Sequence, residues 1–477
     1  MKNIFALFLS ITIMYTSASA QGVDSNRLTL KQCIDIALKN NAQVQQTGLQ
    51  LQTAAANYKQ AKENVLPDVF GNVAHGINQG RSIDPFTNSY INQGVSFANY
   101  NVSSGIVLFN GYQLKNLIQQ TSLTYEANKM DVQQVKDNIT LNVILAYLQI
   151  LNNQDQIVQS RAQADVTRKQ VERLNVMNEA GAIIPAQLYD LRGQLANDEL
   201  AIINNQNALN TARLTLSQLM NVPYNRNLEV QPLSVAEFSL LYEGNPTAMY
   251  GLSEKTLSLV KAADLRRQSA EKGVQAARSG FYPTVSLSGS LSTNFSSVAQ
   301  TQIPGNTVEV ASGDFVTIGT SKVPVMTQRT NFSSEKIGYF NQFTNNYNTS
   351  VYLNVRVPIF NAYRTRNRVT LAKIEQRTAE VASQNIRTQL GQDIEQAYFS
   401  MTGALDRYKT LERQVRDFEE SFRTAEVRFN AGALTQIDYL IAKNNVDRAK
   451  NNLIIARYDY LFRTKILDYY QGRLVVE

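Results

Sequence analysis

Side chains able to make or break bonds are scarce in this chain. It holds one histidine, His75, and one cysteine, Cys33. A zinc site needs three or four ligands of that kind, and a serine–histidine arrangement needs a partnered imidazole, so neither has material to build on. Asp and Glu side chains lie along segments of helical period, where they read as solvated faces. We therefore assign no catalytic residue, no metal ligand and no cofactor, and read the chain as a non-enzyme. A net charge of +7 spread over 477 residues is too mild for a nucleic-acid partner. With a single cysteine there is no intrachain disulfide, and Cys33, in a segment of helical pattern, reads as a buried thiol.

The elements themselves are more informative, because the chain contains one long stretch twice. Leu108-Phe109-Asn110-Gly111-Tyr112 returns as Ile359-Phe360-Asn361-Ala362-Tyr363. Ala146-Tyr147 returns as Ala397-Tyr398, and Ala180-Gly181-Ala182 as Ala431-Gly432-Ala433, always 251 positions later. One register held from Phe109 to Val222 marks a duplication. Within each copy the pattern is helical and long: Tyr112 to Met177 has neither proline nor glycine. About 65 helical residues would span ~100 Å. Ile139, Val143, Ala146, Ile150 and Ile157 form a coiled-coil seam, with Leu141, Leu145 and Leu148 as a second stripe beside it. Two adjacent stripes let one helix pack on a neighbour at each side, so a wall of helices is expected. A further helix is expected from Leu28 to Val65, capped by Thr29 and stopped by Pro67.

Between the helices the period changes to two. Val285, Leu287, Leu291 and Phe295 alternate with serines, and Val351, Leu353, Val355 and Val357 alternate with Tyr352, Asn354 and Arg356. Strands about ten residues long with one apolar and one polar face suit a membrane barrel. Strands are expected at about 68–76, 97–108, 284–295 and 348–358, entered after Pro67 and Pro283 and left at Phe109 and at Pro358 and Phe360. His75 falls in the first of them and reads as a barrel side chain. Ser296 to Asn348, rich in Ser, Thr, Asn and Gly, reads as a long exposed loop. Four strands cannot close a barrel, and an open edge is not tolerated in hydrocarbon, so the chain must associate with copies of itself.

Residues 1–20 have the form of a secretory signal cleaved after Ala20, with Lys2, an apolar run from Ile4 to Met14, and Ala18-Ser19-Ala20. Cys33 lies well downstream of that site, so no lipoprotein is expected. The remaining boundaries are 21–222 for the first helix–hairpin–helix repeat, 223–252 for an irregular inter-repeat segment carrying Pro223, Pro232 and Pro246, 253–472 for the second repeat, and 473–477 for a tail.

The duplicated helix–strand–strand–helix order, Pro67 and Pro283, the Phe109-Asn110 and Phe360-Asn361 pairs, and Gly181 and Gly432 together resemble the TolC family of outer-membrane efflux proteins. The resemblance implies a mainly α fold with transmembrane β-structure: a long α-helical barrel continuous with a twelve-stranded β-barrel shared by a homotrimer. Physics alone gives an oligomer; the number three comes from the family. It also implies an exit duct in the outer membrane with a large periplasmic portion, in contact with outer-membrane lipid. Its periplasmic tips, Gly181, Ala182, Gly432 and Ala433, would meet a membrane-fusion adaptor and, through it, an inner-membrane pump. Some members close the tip with a Tyr, an Arg and an Asp, plus a further acidic residue. Those positions here read Phe429, Leu434, Asp438 and Ile441. Phe429 and Leu434 cannot form a polar lock, which points to an apolar seal beside a half-retained acidic ring. The alternative is a soluble periplasmic coiled-coil scaffold or adaptor, which would carry one helical hairpin and compact β domains in place of two hairpins and lipid-length strands.

Overall fold

The computed structural model describes residues 27–83, 88–232, 242 and 244–473. The expected signal, the tail from 474, and residues 233–241 of the inter-repeat segment lie outside them. Two helices open the described chain, α1 (Leu30–Asn40) and α2 (Ala42–Glu63). Thr29 starts α1 with a reciprocal cap: its hydroxyl accepts from Gln32 N, and the Gln32 side chain accepts from Thr29 N. One helix from Leu28 to Val65 was expected, but Asn41 divides it with extended backbone. Its Oδ1 accepts from Gln43 N and its Nδ2 donates to Leu219 O. The amide thus starts α2 and also satisfies the end of a distant helix.

Strands β1 (Asp68–Asn78), β2 (Arg81–Ile83), β3 (Tyr90–Asn92) and β4 (Val95–Phe109) follow, then α3 (Gln113–Glu179) and α4 (Pro185–Leu219). The second half runs α5 (Pro246–Thr256), α6 (Ser258–Arg278), β5 (Thr284–Ser296), β6 (Gln300–Ile318), β7 (Ser321–Lys336), α7 (Tyr339–Asn345), β8 (Asn348–Arg356), α8 (Arg364–Asn430) and α9 (Gln436–Tyr470). The duplication is preserved to the residue: α3 and α8 each hold 67 residues, and α4 and α9 each hold 35. None of the described helices is apolar enough to cross a membrane.

Two further expectations need correction. The segment from Ser296 to Asn348 is exposed, as expected, but it is regular: β6 and β7 pair as a long hairpin turned at Gly319, with α7 after it. The register puts Val308, Val310, Val316 and Ile318 on one face, an alternation hidden among the Ser and Thr residues. The boundary at 252 falls inside α5, because Asn245 caps that helix at Thr247 N and Pro246 occupies its first turn. Strand ends shift by a residue or two, and β8 stops at Arg356, ahead of Pro358, which has no N–H to offer.

The chain divides into two compact units. One comprises residues up to Gln50, Met130–Lys261 and Asn385–Glu477. Its largest core gathers Cys33, Ile34 and Ala37 of α1 with Ile139, Val143, Ala146, Tyr147, Ile150 and Ile157 of α3, and with Leu209 and Leu216 of α4. The expected seam is therefore buried. Burial also pushes the Cys33 thiol up to about 12, which leaves it inert. Tyr147 donates to Gln231 O at 2.6 Å, tying the chain after α4 to this core. A second core joins α5, α8 and α9 through Met249, Leu390, Ile394, Met401 and Leu467, with Ala397 and Tyr398 alongside. The repeated Ala-Tyr pairs thus serve equivalent cores.

The other unit, Leu51–Lys129 and Ala262–Gln384, carries a four-stranded antiparallel sheet in the order β1-β4-β5-β8. Directly paired residues share a face. Val69, Val73 and Ile77 of β1 therefore lie with Tyr100, Val102 and Ile106 of β4, Leu287, Leu291 and Phe295 of β5, and Val351, Leu353 and Val355 of β8. The opposite face holds Asn72, Asn99, Asn101, Ser103, the serines Ser286 to Ser292, Asn348 and Asn354. His75 is an exposed residue of β1, paired with Ala98 on the apolar side. β1 and β8 each present one open edge among the described residues.

Candidate functional site: the helical hairpin turns

Both long hairpins turn in the same way. Gly181 and Gly432 have φ of 68° and 73°, in the left-handed region that a β-carbon disfavours. Gly181 N donates to Asn178 O and Ala182 N to Met177 O; Gly432 N donates to Phe429 O and Ala433 N to Arg428 O. These paired bonds satisfy the last carbonyls of α3 and α8. No atom lies within 4 Å of where a β-carbon would stand on either glycine, so geometry alone makes these positions glycine. The returning helices start differently. Pro185 opens α4 without a side-chain cap. Thr435 caps α9: its Oγ1 accepts from Asp438 N at 3.2 Å and donates to Asp438 Oδ2 at 2.7 Å. Asp438 is exposed in the first turn of α9, where a carboxylate meets the helix dipole favourably.

Side-chain bonds hold the two turns together. Arg173 of α3 donates to Asn430 O at 2.8 Å and to the Asn430 side chain, and Gln436 Nε2 donates to Gln187 O at 2.6 Å. Leu174, Leu188 and Leu191 form a small core here, with Phe429 and Leu440 against it. Phe429 stacks on Tyr439 with ring centres 4.6 Å apart. Phe429 is thus part of the packing between the hairpins, and Leu434 is half-buried in the second turn. Around the turns Val176, Ile184, Tyr189, Val427, Ile437 and Ile441 are exposed.

One turn and more inward lies a charged cluster that the pattern reading did not single out. Lys443 of α9 is 1% exposed, yet its ammonium donates to Asp198 of α4 at 3.0 Å and to Asp447 at 2.6 Å. Asp198 also accepts from Gln194 at 2.8 Å and from the hydroxyl of Thr167 in α3. Gln163 of α3 donates to Asp447 O at 3.2 Å. One lysine thus faces two carboxylates where α9 packs on α4, with Thr167 and Gln163 of α3 donating to the same cluster. Burial holds the Asp447 carboxyl above the usual carboxylate range, with Lys443 opposing that shift. Burial, reinforced by Glu426, Asp447 and Asp198, likewise raises the phenol of the fully buried Tyr439. A signal existed in the sequence: Tyr439, Lys443, Val446 and Ala449 step by four, three and three, so the lysine occupies a core position of its stripe.

In the unit that carries the sheet, Pro67 and Pro283 stand immediately before β1 and β5. The exits after β4 and β8 are also a matched pair: Phe109 meets Tyr112 edge-on at 5.5 Å, and Phe360 meets Tyr363 at 5.6 Å. Gly111 and Tyr112 have positive φ, and so do Ala362 and Tyr363. A β-carbon on Gly111 would stand 2.7 Å from Tyr282 Cβ and 2.8 Å from Ser279 O, which enforces glycine there. At the matching position the chain accepts Ala362.

Two copies of a long helical hairpin, each contributing two strands to one four-stranded sheet with an aliphatic and a polar face, define the class: a mainly helical, internally duplicated fold. The family model for the outer membrane efflux protein matches residues 33–222 and 257–468, and the chain belongs to that family. Outer membrane protein TolC of Vibrio cholerae serotype O1 is 22% identical over 97% of this chain and 93% of that protein. The fold is similar to crystal structures of CusC, with a TM-score of 0.75 at 16% identity over 93% of this chain and 91% of that one. It is also similar to VceC from Vibrio cholerae, with a TM-score of 0.73 at 15% identity over 93% of this chain and 95% of that one.

Proposed function

We propose that the chain is the outer-membrane exit duct of a tripartite efflux or type I secretion system, conducting substrates passively from a pump to the exterior. The observation that carries this reading is the register of the sheet. It gathers aliphatic side chains on one exposed face and Asn and Ser on the other, and leaves both edges open. A sheet of that kind is satisfied only when copies pair edge to edge, with the aliphatic face in lipid and the polar face around water. A homotrimer closes twelve strands. The hairpin turns, with exposed Val176, Ile184, Val427 and Ile437 around them, are the surface for a periplasmic adaptor and, through it, an inner-membrane pump. Residues 1–20 act as the export signal, removed after Ala20, and the protein is not a lipoprotein.

Membrane fractionation and light scattering of the detergent-purified protein test the reading. The expected result is recovery in the outer membrane and a mass of three chains. A single-chain mass in detergent, or recovery in the soluble periplasm as for a scaffold or adaptor, would overturn it.

A further inference from the structure

The seven residues of α7 finish the sheet in an unusual way. β8 pairs with β5 only as far as the Ser292–Asn348 rung, while β5 continues to Ser296. On that edge two side-chain amides from the α7 region stand in for the missing strand. Gln342 accepts from Ser296 N and donates to Ser296 O, each at 2.9 Å, and Asn346 Nδ2 donates to Asn294 O at 2.9 Å. Thr293 donates to Phe343 O at 2.8 Å, so α7 is bound to β5 at several points.

These bonds set α7 against the apolar face of the sheet. Tyr339 packs on Phe295 with ring centres 4.8 Å apart, and its hydroxyl meets that of Tyr100; Phe343 meets Tyr100 edge-on at 5.5 Å. Yet Phe340 is 80% exposed and Tyr347 67%. From Tyr339 to Tyr347 there is no charged residue, only aromatic, Asn, Gln and Thr side chains. The helix sits where the aliphatic band of the face ends. At the opposite end of the band are the exposed rings of Tyr112, Tyr282, Phe360 and Tyr363. Between Val285 and Phe295 the strand rises ~33 Å, or ~25 Å along the normal at a barrel tilt of ~40°. That height equals the apolar band of an outer-membrane barrel, and aromatic rings belong at its two borders.

We propose that α7 is an interfacial anchor, with Phe340, Phe343 and Tyr347 seated at the headgroup–acyl boundary of the outer leaflet. The occupant of this surface is lipid, because α7 continues the face whose other residues meet lipid in the reading above, on which this inference rests. Neutral aromatic side chains favour that boundary over both water and the acyl interior.

The chain contains no tryptophan, so a single one reports without background. Phe340→Trp would be reconstituted in phosphatidylcholine vesicles brominated at shallow or deep acyl positions. Leu353→Trp on the apolar face and Asn354→Trp on the polar face serve as references. Phe340→Trp emission should be blue-shifted and quenched roughly twofold more by shallow than by deep bromine, as an interfacial ring requires. Leu353→Trp should be quenched most by deep bromine, and Asn354→Trp by neither. If Leu353→Trp is quenched and Phe340→Trp is not, the anchor is wrong while the barrel stands. A blue-shifted but unquenched Phe340→Trp would mean a second copy covers it, and also overturns the proposal. If no position is quenched, the sheet is not in lipid and the outer-membrane reading falls with it.

Discussion

Replacing Lys443 by Met removes the ammonium that bonds both Asp198 and Asp447 without changing the side-chain length much. Asp198 is 8% exposed and keeps its contacts to Gln194 and Thr167, so its carboxylate would remain buried beside a second one. Stranding one partner of a buried ion pair costs roughly 3–5 kcal/mol. For a domain of a few hundred residues each kcal/mol moves the melting midpoint by roughly 2 °C, so a fall of ~6–10 °C is expected in the helical transition. The assay is thermal unfolding of the detergent-purified protein followed by helical circular dichroism. The double variant Lys443→Met/Asp198→Leu supplies the internal check. An apolar pair of similar volume is often neutral or stabilising relative to a buried ion pair. With Asp198 gone, the Thr167 hydroxyl turns its proton to Gln163 O, 3.1 Å away, while Asp447, on the more exposed side of the cluster, keeps the field of Lys450. The double variant should therefore recover the part of the loss that comes from stranding Asp198, and melt above the single variant. A single variant that melts within about 1 °C of the parent would refute the reasoning, because a cluster so cheaply broken must be hydrated.

Three other outcomes follow from the same geometry. Burial raises the Asp447 carboxyl above its unfolded value, so its contribution is fully present below the ordinary carboxylate range and is lost as pH rises through the raised value. Melting followed over roughly pH 8 to 4 should show a gain in that window for the parent that Asp447→Asn lacks; an identical profile for both proteins refutes it. Gly432→Val places a branched β-carbon at φ of 73° in open space, a backbone cost of roughly 1–2 kcal/mol confined to the turn. Efflux and adaptor docking should fall while trimer assembly persists, and unchanged transport in both Gly432→Val and Gly181→Val would remove the turns from the docking surface. Asp438→Ala removes the carboxylate that accepts from Thr435, at a cost of roughly 0.5–1 kcal/mol. Copies of Asp438 gathered in an acidic ring would favour cations and bind multivalent ones, so in planar bilayers Asp438→Ala should weaken cation preference and multivalent block; unaltered selectivity would leave Asp438 with the capping role alone.

The sequence by itself determined whatever depends on local period and on chain geometry. The duplication, the seam through Ile139, Val143, Ala146, Ile150 and Ile157, the strands after Pro67 and Pro283, and the glycine turns at Gly181 and Gly432 were all legible. Each rests on residues near one another in the chain: a repeat every three to four or every two positions, a missing N–H, a left-handed φ. Tertiary structure decided what depends on partners far along the chain. Asn41 breaks a helix because its amide reaches Leu219, some 180 positions away. The lysine at a core position of α9 became tolerable only where α4 brings Asp198 against it. Gln342 replaces a strand because β8 ends four rungs short of β5. No periodicity encodes these choices, because a buried polar group is satisfied by whichever donor or acceptor folding delivers to it, and the cost of leaving it alone fixes the match only once the helices and strands have met.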